Sequence, residues 1–197
     1  MNGYTYEGTP STPSLSAEVM DNAPITYYYS TEDSTTGGTE WKNITGTTLN
    51  AGDYYMYADI AETENYFSAT TATTKFTVSP LPIDEPTKDT TAFVYNDGEQ
   101  TYSVPTSTRY SVKNGSDKKK DAGEYKVEIE LADKANTVWK NAESGKETDN
   151  LFYDFVIAPL PIDMPTKDTT AFVYNGDEQT YTVPTSTRYS VKNNSNK

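Results

Sequence analysis

An all-β fold, built as a tandem array of small modules, is what this sequence predicts, and three observations predict it. A long block repeats: Pro80 to Asn114 recurs as Pro159 to Asn193, and only Glu85/Met164, Asp97/Gly176, Gly98/Asp177 and Ser103/Thr182 differ. Leu81 and Leu160 set the period at 79 residues, and self-similarity at a fixed period means an array of like units. Tyr125, Val127, Ile129 and Leu131 alternate strictly with Glu124, Lys126, Glu128 and Glu130, the pattern of a strand with one buried face. No segment keeps a helical periodicity, and β-branched and aromatic residues dominate, which favours extended chain. The repeat divides the chain into module one (1–79), module two (80–158) and an incomplete module three (159–197). Small Ig-like β-sandwiches are the expected form, with a β-grasp-like module as the alternative.

Module one opens at Tyr4-Thr5-Tyr6-Glu7-Gly8, matching Phe93-Val94-Tyr95-Asn96 and Phe172-Val173-Tyr174-Asn175-Gly176. The pattern is a short aromatic strand entering a turn, with Gly or Asn expected to take the left-handed conformation. Module one has no leader ahead of this motif, so a first strand is expected to be missing from it. Met1 stands almost against the motif, which points to a piece of a longer chain. Ile25–Ser30 reads as a strand, Thr35–Thr39 as a hairpin loop and Glu40–Ile44 as a further short strand. The long strand of module one is Asn50–Ile60, with Tyr54, Met56, Ala58 and Ile60 inward and Tyr55, Tyr57 and Asp59 outward. Phe76 and Val78 close module one, and Tyr153, Phe155 and Ile157 close module two. Pro80 and Pro82, then Pro159 and Pro161, follow at once and read as short, semi-rigid hinges. Module three has the leader, the Tyr174 motif and Thr187-Arg188-Tyr189-Ser190-Val191, but no Ala-Gly-x-Tyr strand and no closing strand. It is either truncated or completed by strands of another chain, since exposed edges recruit partners.

The net charge is −13, concentrated in module one. An acidic surface repels phosphate backbones, which argues against nucleic acid as a partner and explains solubility. Histidine and cysteine are both absent, which removes disulfides, thiol and Ser-His chemistry and most zinc sites. There is no apolar run long enough to span a membrane and no secretory leader at Met1.

Three features recur in order: Tyr-Asn/Glu-Gly at the start, Asn/Asp-Ala-Gly-Asp/Glu-Tyr in the middle, and Phe-x-Val/Ile-x-Pro-Leu at the end. Module two adds Leu131-Ala132-Asp133-Lys134-Ala135-Asn136-Thr137-Val138-Trp139, and module one has Asn65-Tyr66. Together they resemble the bacterial immunoglobulin-like and mucus-binding-type (MBG, "YDG") repeats of large surface proteins and adhesins. The resemblance implies a secreted or wall-attached protein at the cell surface whose repeats serve as a non-enzymatic stalk. It also implies that some such modules bind glycans, mucin or host surface proteins. No catalytic residues, cofactor or metal carry over from it.

The residues offer few sites to weigh. Glu128 and Glu130 are a carboxylate pair, but beside Lys126 they read as a solvated sheet face. Asp84, Glu85 and Asp89 suit a hard cation by composition alone, yet the third copy keeps Asp163 and Asp168 and replaces the glutamate with Met164, which argues against an obligatory site. An aromatic surface of Tyr27, Tyr28, Tyr29, Tyr55 and Tyr57 is the candidate ligand-binding face, because tyrosine pairs flat apolar area with a hydroxyl; sheet stabilisation is the competing reading. Module two carries Lys126 and Glu128 where module one has Tyr55 and Tyr57. A Lys–Asn isopeptide crosslink, of the kind found in bacterial surface modules, has Lys88, Asn150 and Glu128 as candidates by order. Glu128's outward position argues against it. Asn43-Ile44-Thr45, Asn114-Gly115-Ser116 and Asn193-Asn194-Ser195 fit a glycosylation acceptor pattern but read as turns.

Overall fold

A computed structural model of the chain describes residues 1–44 and 48–192. It is essentially all-β, with 32% of residues in strands and 3% in helical turns. Residues 1–79 contribute β1 (Tyr4–Thr5), β2 (Ile25–Ser30), β3 (Thr39–Glu40), β4 (Gly52–Ile60), β5 (Ala69–Thr70) and β6 (Thr74–Ser79). Residues 80–158 contribute β7 (Leu81–Ile83), β8 (Phe93–Val94), β9 (Gln100–Thr101), β10 (Tyr110–Val112), β11 (Lys118–Lys119), β12 (Gly123–Leu131), β13 (Thr137–Trp139) and β14 (Leu151–Ala158).

The two stretches repeat one sheet. The first runs β1-β6-β4-β2-β3, with β5 beside β4, and the second runs β10-β12-β14-β8. The register repeats as well. Gly52 lies opposite Val78 and Tyr54 opposite Phe76, just as Gly123 lies opposite Ile157 and Tyr125 opposite Phe155. Ile25 faces Ile60 as Tyr110 faces Leu131. The opening motif is a short strand laid parallel to the closing strand: Tyr4 beside Val78 and Phe93 beside Ile157.

Period-two alternation builds the core of module two. Val127, Ile129, Leu131, Tyr153, Phe155 and Ile157 are buried on one face of the sheet, and Ile83, Tyr102 and Trp139 close over them. On the opposite face Lys126 pairs across the strands with Asp154. β7 supplies part of the cover by pairing parallel with β13. Pro82, read with Pro80 as a hinge, therefore lies inside a strand. Leu81 N–H donates to Asn136 O at 2.8 Å and Lys140 N–H donates to Ile83 O at 2.9 Å. Those bonds flank Pro82, whose missing N–H falls on the unpaired side of β7, where a strand tolerates proline.

Two further expectations are corrected. Glu40–Ile44 is not a strand: β3 ends at Glu40, and Trp41–Ile44 is a 3-10 turn. The turn drops the Trp41 ring edge-on against Phe76, with centroids 6.0 Å apart, so it plugs the module-one core of Leu49, Tyr54, Met56, Phe76 and Val78. The left-handed residue after the tyrosine motif is an acid, Glu7 (φ 64) or Asp97 (φ 67), and becomes glycine only at Gly176 (φ 88). Asn96 acts instead through its side chain, accepting a bond from Gly98 N–H at 3.0 Å.

No described residue of 159–192 lies in a strand. Phe172, Val173 and Tyr174 are exposed there, because the counterparts of β12 and β14, which bury Phe93 in module two, are absent from this stretch. The local Asp turn survives without the sheet: Asp168 accepts from Thr170 N–H at 2.8 Å and Thr182 N–H at 3.2 Å.

Tyr153 gives a pH test of the module-two core. Its hydroxyl donates to Pro86 O at 2.7 Å, and burial, helped by the charge of Glu85, pushes its ionisation from 10.0 up to about 12. The neutral phenol is thus favoured in the folded state. Its contribution is complete below pH 10 and lost as pH rises toward 12. Chemical denaturation of the parent should weaken across that window, and Tyr153→Phe should show a shallower alkaline loss. Equal slopes in the two proteins would refute the assignment.

Candidate functional site: the tyrosine face and the module junction

The expected tyrosine surface is divided by the sheet. Successive strand residues point to opposite faces, so Tyr27, Tyr28 and Tyr29 cannot share one. Tyr28 lies opposite Tyr57, while Tyr27 and Tyr29 lie opposite Ala58 and Met56. Tyr27 and Tyr29 therefore pack against the module-one core. Tyr29 sits edge-on to Trp41 at 5.9 Å and to Tyr54 at 6.2 Å. Tyr27 occupies the place that Val112 holds in module two, since Val112 lies opposite Ile129 and Tyr27 opposite Ala58.

Tyr55, Tyr57 and Tyr28 form the other face. Tyr57 and Tyr28 stack with centroids 5.2 Å apart and planes within 17°. The β2–β3 loop closes over them: Gly38 N–H donates to Tyr57 Oη at 3.3 Å. A Cβ at Gly38 would meet Tyr28 Cβ, Tyr57 Cε1 and Tyr57 Oη, each at 3.0 Å, so only glycine lets the loop approach this closely. Tyr57 is left 5% exposed, which corrects its assignment as an outward residue. Tyr55 remains half-open on the expected surface, between Ser30 and Lys75.

The acidic leader does not converge on a point. Asp84 pairs with Lys140 at 2.9 Å. Asp89 accepts from Thr91 N–H at 2.9 Å and Ser103 N–H at 2.7 Å, and the Thr91 side chain, with these two bonds, holds its carboxyl below the usual range. Among the described residues no three histidine, cysteine or acidic side chains gather in a metal-binding group.

Of the crosslink candidates, Glu128 and Asn150 meet and Lys88 does not join them. Asn150 Nδ2 donates to Glu128 Oε1 at 2.6 Å, and Lys113 Nζ donates to the same oxygen at 3.0 Å. Lys134 Nζ donates to Asn150 Oδ1 at 2.7 Å. Lys88 lies instead over the Tyr153 ring, 5.2 Å from its centroid. The Asn150 and Lys113 bonds hold the Glu128 carboxyl low. Transamidation wants a protonated acid beside a neutral amine, and the bonds from Asn150 and Lys113 favour the ionised form of Glu128. Of the acceptor patterns, Asn114 and Gly115 are consecutive left-handed residues at φ 53 and 61, as a turn requires; Thr45 and Asn193-Asn194-Ser195 lie outside the described residues.

The best-built polar constellation joins modules one and two, and motif reading missed it. Arg109 lays its two terminal nitrogens on the Glu7 carboxylate, Nη1 to Oε1 at 2.9 Å and Nη2 to Oε2 at 2.6 Å. That bond holds the Glu7 carboxyl below its usual range and raises Arg109. Beside it, buried Asn136 accepts from Ala51 N–H at 2.8 Å and donates to Asn50 Oδ1 at 3.3 Å. Asp133 fixes that amide, accepting from Asn136 Nδ2 at 2.8 Å. The signal available in the sequence was Arg109 itself: the chain's two arginines, Arg109 and Arg188, occupy one repeat position.

No family model matches the chain, and comparison with curated proteins and with solved structures finds no match. The functional reading therefore rests on the residues and their arrangement. No helix among the described residues is long and apolar enough to cross a membrane.

Proposed function

We propose that the chain is a non-enzymatic, tandem-repeat stalk segment of a bacterial cell-surface protein or adhesin, acting outside the cell. Its modules are read as small Ig-like sandwiches, with the β7–β13 and β9–β11 pairs covering the buried face of the four-stranded sheet. The β-grasp alternative wants a helix across the sheet, and the helical turns of the described residues, Met20–Asn22 and Trp41–Ile44, are too short for that role.

One observation carries the reading. The closing strand of module one ends at Ser79 and the first strand of module two starts at Leu81, so Pro80 alone connects them. A strand-to-strand connection of one proline leaves no flexible linker, and repeated modules joined in this way build length rather than a pocket. Small-angle scattering of the purified chain tests it. A compact chain of this length would have a radius of gyration of roughly 16 Å. The stalk reading expects a clearly larger value and an elongated distance distribution, and a compact particle would sink it.

A further inference from the structure

The arginines are informative because the chain otherwise uses lysine. Only Arg109 and Arg188 carry a guanidinium, and they stand at the same place in successive copies. A planar fork can hold a carboxylate through two parallel bonds and so fix an angle as well as a distance; an ammonium point charge cannot. Arg109 uses that capacity on Glu7 of the preceding module.

The acid is placed with similar economy. Glu7 follows the tyrosine motif in a left-handed conformation, φ 64. Glycine adopts that conformation without strain, as Gly176 does in the third copy, whereas an L-residue resists it. An acid at that site is explained by what its carboxylate reaches. The second contact comes from the turn after the long strand. Asn136 reaches from that turn to the Asn50–Ala51 corner that starts β4. At the corresponding turn of module one, Asn65 Nδ2 bonds to Asp21 Oδ2 within its own module, at 2.9 Å.

We propose that Arg109 of module two and the left-handed acid Glu7 of the module before it form a clamp, with the Asn136 turn as its second point, that sets the angle between the two modules. The inference rests on the stalk reading and adds the residues that make the stalk stiff. Glu7–Arg109 is the one instance the structure shows: Asp97, one place further along its motif, accepts instead from Tyr95 Oη at 2.9 Å and pairs with Lys120 at 3.4 Å within its own module.

The cysteine-free chain suits a distance measurement between spin labels, one at Thr74→Cys on β6 and one at Glu124→Cys on β12, in the full chain. The parent should give one narrow distance distribution by double electron–electron resonance. Arg109→Glu should broaden it and remove the single maximum, and the exchanged pair Glu7→Arg with Arg109→Glu should restore it. Circular dichroism melting of each variant checks that both modules stay folded. A narrow distribution that Arg109→Glu leaves unchanged would overturn the clamp while leaving the stiff stalk standing. A broad distribution already in the parent would overturn the stalk reading, and the clamp with it.

Discussion

Phe155→Ala is expected to cost module two about 3–5 kcal/mol, the range for emptying a large aromatic site in a packed core. Phe155 is 0% exposed and lies at the centre of β14. Its ring meets Phe93 at 4.9 Å, Tyr102 at 5.7 Å and Tyr125 at 6.1 Å. Those partners come from β8, the β9 turn and β12, so the ring ties together the pieces that the repeat brings from distant parts of the module. A module of this size has only about 5–10 kcal/mol to lose, so the substitution should leave it close to unfolded at room temperature. Trp139 is buried in that core and Trp41 packs against the core of module one, so fluorescence during urea unfolding follows both. The expected trace is an early transition from module two and a nearly unchanged one from module one. A shift below about 1 kcal/mol, typical of surface substitutions, would mean that Phe155 is not where the core is held.

How much of this was readable without the fold varies with the kind of interaction. Strand periodicity was readable. The inward set Tyr125, Val127, Ile129 and Leu131 is half-buried at its first residue and buried thereafter, because a two-residue period admits one reading when one face is charged. Module one was harder for the same physical reason. Tyr27 to Tyr29 and Tyr54 to Tyr57 carry apolar area on both faces, so alternation no longer says which is the core. The β2–β4 register decides it, and register is a long-range property. The leader strand β7 was hidden by its prolines: its pairing depends on Asn136 and Lys140, more than fifty residues away. The junction was hidden for a different reason. Glu7 and Arg109 are ordinary surface residues in any one module, and their relation exists only once two modules are set end to end. The coincidence of Arg109 with Arg188 was on view, but identity within a repeat does not say which neighbour a residue serves.

Tyr57→Glu is expected to destabilise module one by about 3 kcal/mol, although module two carries Glu128 at the equivalent place. The cost combines the lost burial of a large ring, about 1.5–3 kcal/mol, and the lost stack on Tyr28, about 0.5–1.5 kcal/mol, with a carboxylate now under the Gly38 loop. Glu128 escapes that cost because Lys113 and Asn150 meet it, whereas Tyr57 lies against Tyr28 and Gly38. Tyr55→Lys is the comparison, since Tyr55 stands at the place of Lys126 and is half-open. It should stay within about 1 kcal/mol of the parent. Thermal or urea unfolding of the two single variants, followed at Trp41, distinguishes them. Equal, small effects would mean that the β2–β3 loop does not close over Tyr57, and the pair would return as a candidate binding surface. The expected inequality assigns Tyr57 to sheet packing. Any ligand taken up on this face would then have to be held by Tyr55 and its strand neighbours, so a glycan or mucin panel is informative only with Tyr55→Lys, whose fold is intact, and not with a variant at Tyr57.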